Sequence, residues 1–193
     1  MPGRSIAISG PPGAGTTTIA RALAERLGLR YANAGTIFRE LAREHGMSLI
    51  EFQDYALSHP EIDREIDRRS VELLRAGGYV VEGRLAAHMA VTAGVKGVLK
   101  VYLKASEGVR ARRIAKREKI SIEEALSHIR ERARKERERY LRIYGIDVED
   151  MSIYDLIVDT TNLPPESIVE VIIAFWKGWH PDGEHEKQTS NSN

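Results

Sequence analysis

Short, unbroken apolar runs alternate along this chain with longer stretches whose apolar residues recur every three or four positions. The first run, Ser5-Ile6-Ala7-Ile8-Ser9, reads as a buried strand, and Gly10 to Gly15 as a tight loop. From Thr17 onward, Ile19, Ala20, Leu23, Ala24 and Leu27 share one face of a helix. Leu29 to Ala34 predicts a second strand. A helical run begins at Gly35, and another covers Met47 to Leu57, with Ser48 as its cap and Glu51 at the capping-box position. Pro60 punctuates the chain. Ile62 to Leu74 predicts a helix with Ile62, Ile66, Val71 and Leu74 inward and Asp63, Arg64, Asp67 and Arg68 outward, ended by Gly77-Gly78. Tyr79 to Arg84 is a strand that ends in charge, and Val98 to Leu103 is the next strand. Ser106 is placed to cap a helix through Arg117, and Ser121 a longer one with Glu124 as its box partner. Asp155 to Asp159 reads as the last strand, and Pro164-Pro165 opens a last helix to about Lys177. Gly178 to Asn193 is polar without an apolar period and reads as a disordered tail.

Strands alternating with helices predict an α/β fold, a parallel sheet covered by helices on both faces. The region 36–77 interrupts that alternation. It holds helices only, an insertion that overhangs the sheet edge. At 193 residues the chain is most simply one domain, residues 1–177, followed by the tail 178–193. Net charge is +1, so nothing in the overall charge favours a polyanion partner. The absence of cysteine excludes disulfides and thiolate metal sites and agrees with a reducing, cytoplasmic setting. The histidines lack metal-ligand spacing, and His45, His59, His88 and His128 read as surface or lining residues. The apolar runs are too short to span a bilayer, so no membrane partner is expected.

Candidate chemistry begins at the first loop. Gly10-Pro11-Pro12-Gly13-Ala14-Gly15-Thr16-Thr17-Thr18 has the spacing of the phosphate-binding loop G-x-x-x-x-G-K-[ST], with one departure. Glycines let the backbone approach closely, and the N–H groups and dipole of the following helix favour an anion there. Thr17 stands at the metal-ligand hydroxyl. Thr16 stands where a lysine normally places a charge on the outer phosphates. A threonine offers a neutral hydrogen bond only, so a cation from elsewhere is required.

The stretch 110–142 is rich in arginine and lysine interleaved with glutamate. Taken singly, most of these residues read as solvated helix surface. Arg132, Glu136 and Arg139 are different, because their i, i+4, i+7 spacing puts them on one face beside the apolar stripe. They are the source expected to supply the missing charge, with Arg113 or Arg117 as the fallback. Glu82 and Arg84 close a strand where open sheets bind ligands, unless the two simply pair with each other.

These pieces resemble the nucleoside monophosphate kinases, and within them the archaeal-type cytidylate kinase family. The resemblance runs to about Trp176 and is carried by Ile8 to Thr18, Ala34 to Arg39, Pro60 to Asp67, Glu82-Gly83-Arg84 and Tyr144 to Asp147. It implies transfer of the ATP γ-phosphoryl to CMP or dCMP with Mg2+, on a P-loop-type sheet expected to have five parallel strands in the order 2-3-1-4-5. It implies that residues 10–18 hold ATP and that Thr17 touches the metal. Arg39 and Arg84, with Gly35, then grip the acceptor phosphate, and 36–77 forms the acceptor-binding insertion. The segment 106–142 is the lid, with Arg132, Glu136 and Arg139 at its functional positions. Leu85 replaces the aspartate that meets cytosine in the bacterial enzymes. Asp63, Arg64 and Asp67 are the substitutes expected to read the base. A monomer acting on small molecules, without nucleic acid, is expected. Kinases of other small acceptors, and a nucleotide-binding or RNA-associated regulator using the basic helices, remain as alternatives.

Overall fold

The computed structural model describes residues 3–59 and 61–181; Pro60 and the segment 182–193 lie outside the described residues. In chain order the elements are β1 (Ser5–Ser9), α1 (Thr16–Leu27), β2 (Arg30–Asn33), α2 (Ala34–Glu44), α3 (Leu49–Leu57), α4 (Glu61–Ala76) and β3 (Tyr79–Glu82). They continue with α5 (Ala86–Thr92), β4 (Val98–Lys104), α6 (Glu107–Glu118), α7 (Ile122–Tyr144), β5 (Leu156–Asp159) and α8 (Pro165–Gly178). The strands form one parallel sheet in the order β2-β3-β1-β4-β5, as expected.

β1 is buried along its whole length because helices cover both faces of the sheet. On one face Ile6 and Ile8 pack with Ile19 and Leu23 of α1 and Ile168, Ile172 and Trp176 of α8. On the other face Ala7 and Val81 pack against Leu74 of α4 and Ala86, Ala87 and Ala90 of α5. The three helices between β2 and β3 carry their own small core, Ile37, Leu41, Phe52, Ile62 and Ile66. A fourth core joins α6 to α7 through Ala111, Ile114, Ala125 and Ile129.

Local signals act largely as their chemistry requires. Ser48 and Glu51 form a reciprocal capping box on α3, and the Ser121 hydroxyl accepts the Glu124 N–H at 3.0 Å. Three expectations need correction. Helix α5 is absent from the sequence reading. Ser106 occupies the N-cap of α6 without a side-chain cap bond, its own N–H being bound to the Thr161 hydroxyl at 2.9 Å. His88 is buried on α5 rather than lining a surface; desolvation lowers its pKa, and its ring stands edge-on to Tyr154.

Candidate active site

The loop after β1 is built by close approach. A Cβ on Gly10 would lie 2.4 Å from the Leu103 carbonyl oxygen, and Gly13 has φ +82° with the Arg110 carbonyl 2.8 Å from any Cβ. From the other side Arg113 donates to the carbonyls of Gly13, at 3.1 Å, and Thr160, at 2.8 Å. Thr160, buried, donates to the Ala14 carbonyl at 2.9 Å. The backbone of the loop is therefore locked before any ligand arrives.

Two cavities meet across this loop. One, of about 310 Å³, lies beyond the carboxyl ends of β1, β2 and β3, where the loop faces Thr17, Asn33, Gly35, Glu82, Arg84 and Arg132. The other, of about 380 Å³, lies behind the loop among Thr18, Ile114, Thr160, Leu163, Pro165 and Ile168. Gly13, Thr16, Thr17 and Arg117 line both.

Glu82 is the hub of the first cavity. Its Oε1 accepts from the hydroxyls of Thr16 at 2.8 Å and Thr17 at 2.7 Å, and its Oε2 accepts from Tyr31 at 2.5 Å. Burial and the neighbouring Glu82 push the Tyr31 phenol up to about 12. Arg84 does not pair with Glu82. Its guanidinium donates to the Gly10 carbonyl, and its Nε lies 3.0 Å from Glu136, whose other oxygen lies 2.7 Å from Arg132. Glu136 thus sits between two guanidiniums. Burial lowers the Arg84 pKa, opposed by the Glu136 charge.

The remaining sequence-predicted residues are more dispersed. The exposed Arg39 brings its guanidinium near Gly35 at the rim of the first cavity. Asp63 and Arg64 are exposed on α4 and line neither cavity. Asp67 accepts a hydrogen bond from the Tyr144 hydroxyl, which joins α4 to the end of α7. Leu85 is buried at the start of α5. The Arg139 side chain lies outside the described residues.

Residues 5–162 match the Cytidylate kinase-like family. The chain belongs to that family. It is 50% identical over 179 residues to a cytidylate kinase of Pyrococcus horikoshii, a match covering 93% of this chain and 91% of the relative. It is also 50% identical over 167 residues to a cytidylate kinase of Methanocaldococcus jannaschii, covering 86% and 94%. A shikimate kinase structure from Acinetobacter baumannii shares the fold alone, with TM-score 0.54 and 17% identity over 91% of this chain and 94% of that one.

In this cytidylate kinase-like chain, sequence reasoning left Tyr31, Asn33 and Thr160 without a role, and gave Glu82 only a place. A glutamate closing a strand was a usable signal for Glu82. No motif marks Tyr31 or Asn33, because their function comes from the pairing of β2 with β3, which sets Asn33 beside Glu82.

Proposed function

We propose that this chain transfers the γ-phosphoryl group of ATP to the phosphate of CMP and dCMP. The observation that carries the reading is the pair of cavities meeting at one rigid phosphate loop, with Arg117 lining both and Arg84 and Arg132 lining only the acceptor side. About half-identity to relatives named cytidylate kinase over nearly the whole chain supports the choice of acceptor.

In this reading ATP lies with its base in the second cavity, against Leu163, Pro165 and Ile168, and its phosphates on the loop amides of residues 10–18. The acceptor enters the first cavity. Its phosphate takes the place of the Glu136 carboxylate between Arg84 and Arg132, with Arg39 and Gly35 at the rim. Arginine suits that task because its fork holds two oxygens at once and its charge offsets that of a loose transition state. Arg117, on the border of the two cavities, and Arg132 supply the charge that Thr16 lacks. α2–α4 serve as the acceptor-binding insertion and 106–142 as the lid of a single domain, residues 1–177. Arg139, one turn beyond Glu136, belongs to the lid set by its sequence position. Asp67 remains the candidate for reading the base, with Asp63 and Arg64 farther out on the same helix.

The oxygen donors of Thr17 and Glu82 fit Mg2+, which takes one or two carboxylates and completes its shell with water and substrate phosphates. No cluster of three metal-binding side chains occurs among the described residues. Thr17 and Glu82 would hold it, and it would neutralise phosphate charge. The near-zero net charge agrees with small-molecule partners rather than nucleic acid. No helix among the described residues is long and apolar enough to cross a membrane.

The test is ADP release with ATP, Mg2+ and a panel of monophosphates. CMP and dCMP should give the highest kcat/KM. Equal values for UMP, AMP or GMP would remove the cytidylate assignment.

A further inference from the structure

The threonine that replaces the loop lysine spends its hydroxyl on a carboxylate. The Thr16 methyl lies against Gly10, 3.0 Å from where a Cβ would stand, and its hydroxyl donates to Glu82 Oε1 at 2.8 Å. A β-branched side chain has few rotamers, and this packing selects the one that aims at Glu82. On the opposite side, Tyr31 donates to Oε2 at 2.5 Å. The Tyr31 oxygen in turn accepts from Asn33 Nδ2 at 2.5 Å, and the Asn33 Oδ1 caps α2 by accepting the Thr36 N–H at 2.9 Å. Asn33 cannot swing away without uncapping that helix.

We infer that Thr16 and Tyr31 are positioning residues for Glu82, gripping its two oxygens so that Oε1 stays beside the Thr17 hydroxyl for the cation that accompanies ATP. The inference rests on the reading above, in which Thr17 and Glu82 hold that cation. The terminal torsion of a glutamate is broad, so a carboxylate held at one oxygen turns easily. Held at both, it presents Oε1 in one place, 2.7 Å from Thr17 Oγ1. A lysine at position 16 would bring an ammonium to the same carboxylate and compete with the cation for it. Threonine fixes the carboxylate and leaves its charge undivided.

The experiment measures Mn2+ binding by electron paramagnetic resonance on the full chain with a nonhydrolysable ATP analogue. The variants are Tyr31→Phe, which keeps the ring, Thr16→Val, which keeps the shape, and Glu82→Gln as reference. Tyr31→Phe and Thr16→Val should each weaken Mn2+ by about tenfold, the lower end for losing a partner that orients a metal ligand. Asn33 Nδ2, 3.5 Å from Oε2, limits the loss in Tyr31→Phe. Binding of the analogue without metal should fall less than Mn2+ binding does in each variant, because in that reading the loop amides hold the phosphates. Parental Mn2+ affinity in both variants would overturn the inference, and so would an equal loss of metal-free analogue binding. Parental affinity in Glu82→Gln would remove Glu82 as a ligand and the inference with it. Weakened Mn2+ in the variants alongside a parent that leaves CMP unphosphorylated would sink the cytidylate reading alone.

Discussion

At the residue scale the arginines divide by what they already hold. Arg113 is committed to the carbonyls of Gly13 and Thr160 and shapes the loop. Arg132 is largely exposed and, among the described residues, pairs with the exchangeable carboxylate Glu136. Arg132→Ala should therefore lower kcat by about 10²-fold or more, the range for losing a charged transition-state donor. The ATP dissociation constant should change far less, because in the proposed reading ground-state binding rests on loop amides and the cation. Steady-state kinetics with separate ATP titration decide this, and a near-normal kcat would shift the role to Arg117. Thr16→Lys should raise the Mg2+ concentration needed for half-maximal rate without raising kcat, as a Mg2+ titration would show. Much of this site was legible from spacing, because the loop and the 132–136 pair are local patterns. The Glu82 network was not, since its members lie up to 66 residues apart and meet only through sheet register.

At the element scale, α5 shows where periodicity fails. Ala86, Ala87, His88 and Ala90 are all buried, so the segment has no polar face to set a period, and no side chain caps its start. The sheet order and the α2–α4 insertion were legible because their elements alternate, or fail to alternate, over long stretches. Inside the insertion, Glu65 binds both Arg68 and Arg69, and Arg69 reaches Glu44 on α2. These partners hold the Glu65 carboxyl down at about 2, against an ordinary 4.5. A carboxyl depressed in the folded state adds stability above its unfolded pKa and loses it as pH falls through the folded one. The contribution should be intact at pH 5 and above and fade between about 4.5 and 2. Melting temperatures of the parent and Glu65→Gln should therefore differ at pH 6 and converge toward pH 2. A constant difference would show that the ion pairs add nothing.

At the scale of the whole molecule, α6 and α7 share a small core of their own. Arg84–Glu136 and Tyr144–Asp67 tie α7 to the loop after β3 and to α4. Such a unit can move as a body and exclude water when both substrates are present. Amide exchange across 106–142 should slow with a bisubstrate analogue, and identical exchange with and without it would rule out closure. The other end of the molecule is joined differently. Arg4 lies over the Trp176 ring and donates to the carbonyls of Trp176, at 3.1 Å, and Trp179, at 2.9 Å, more than 170 residues away. A ribosome adds about 5–20 residues per second. Until β3 and β4 have been made the central strand lacks a partner on both flanks, and the α8 side of its core stays open until residues 165–178 follow. A nascent chain stalled before α8 would present Ile6, Ile8, Ile19 and Leu23 to whatever chaperone is at hand.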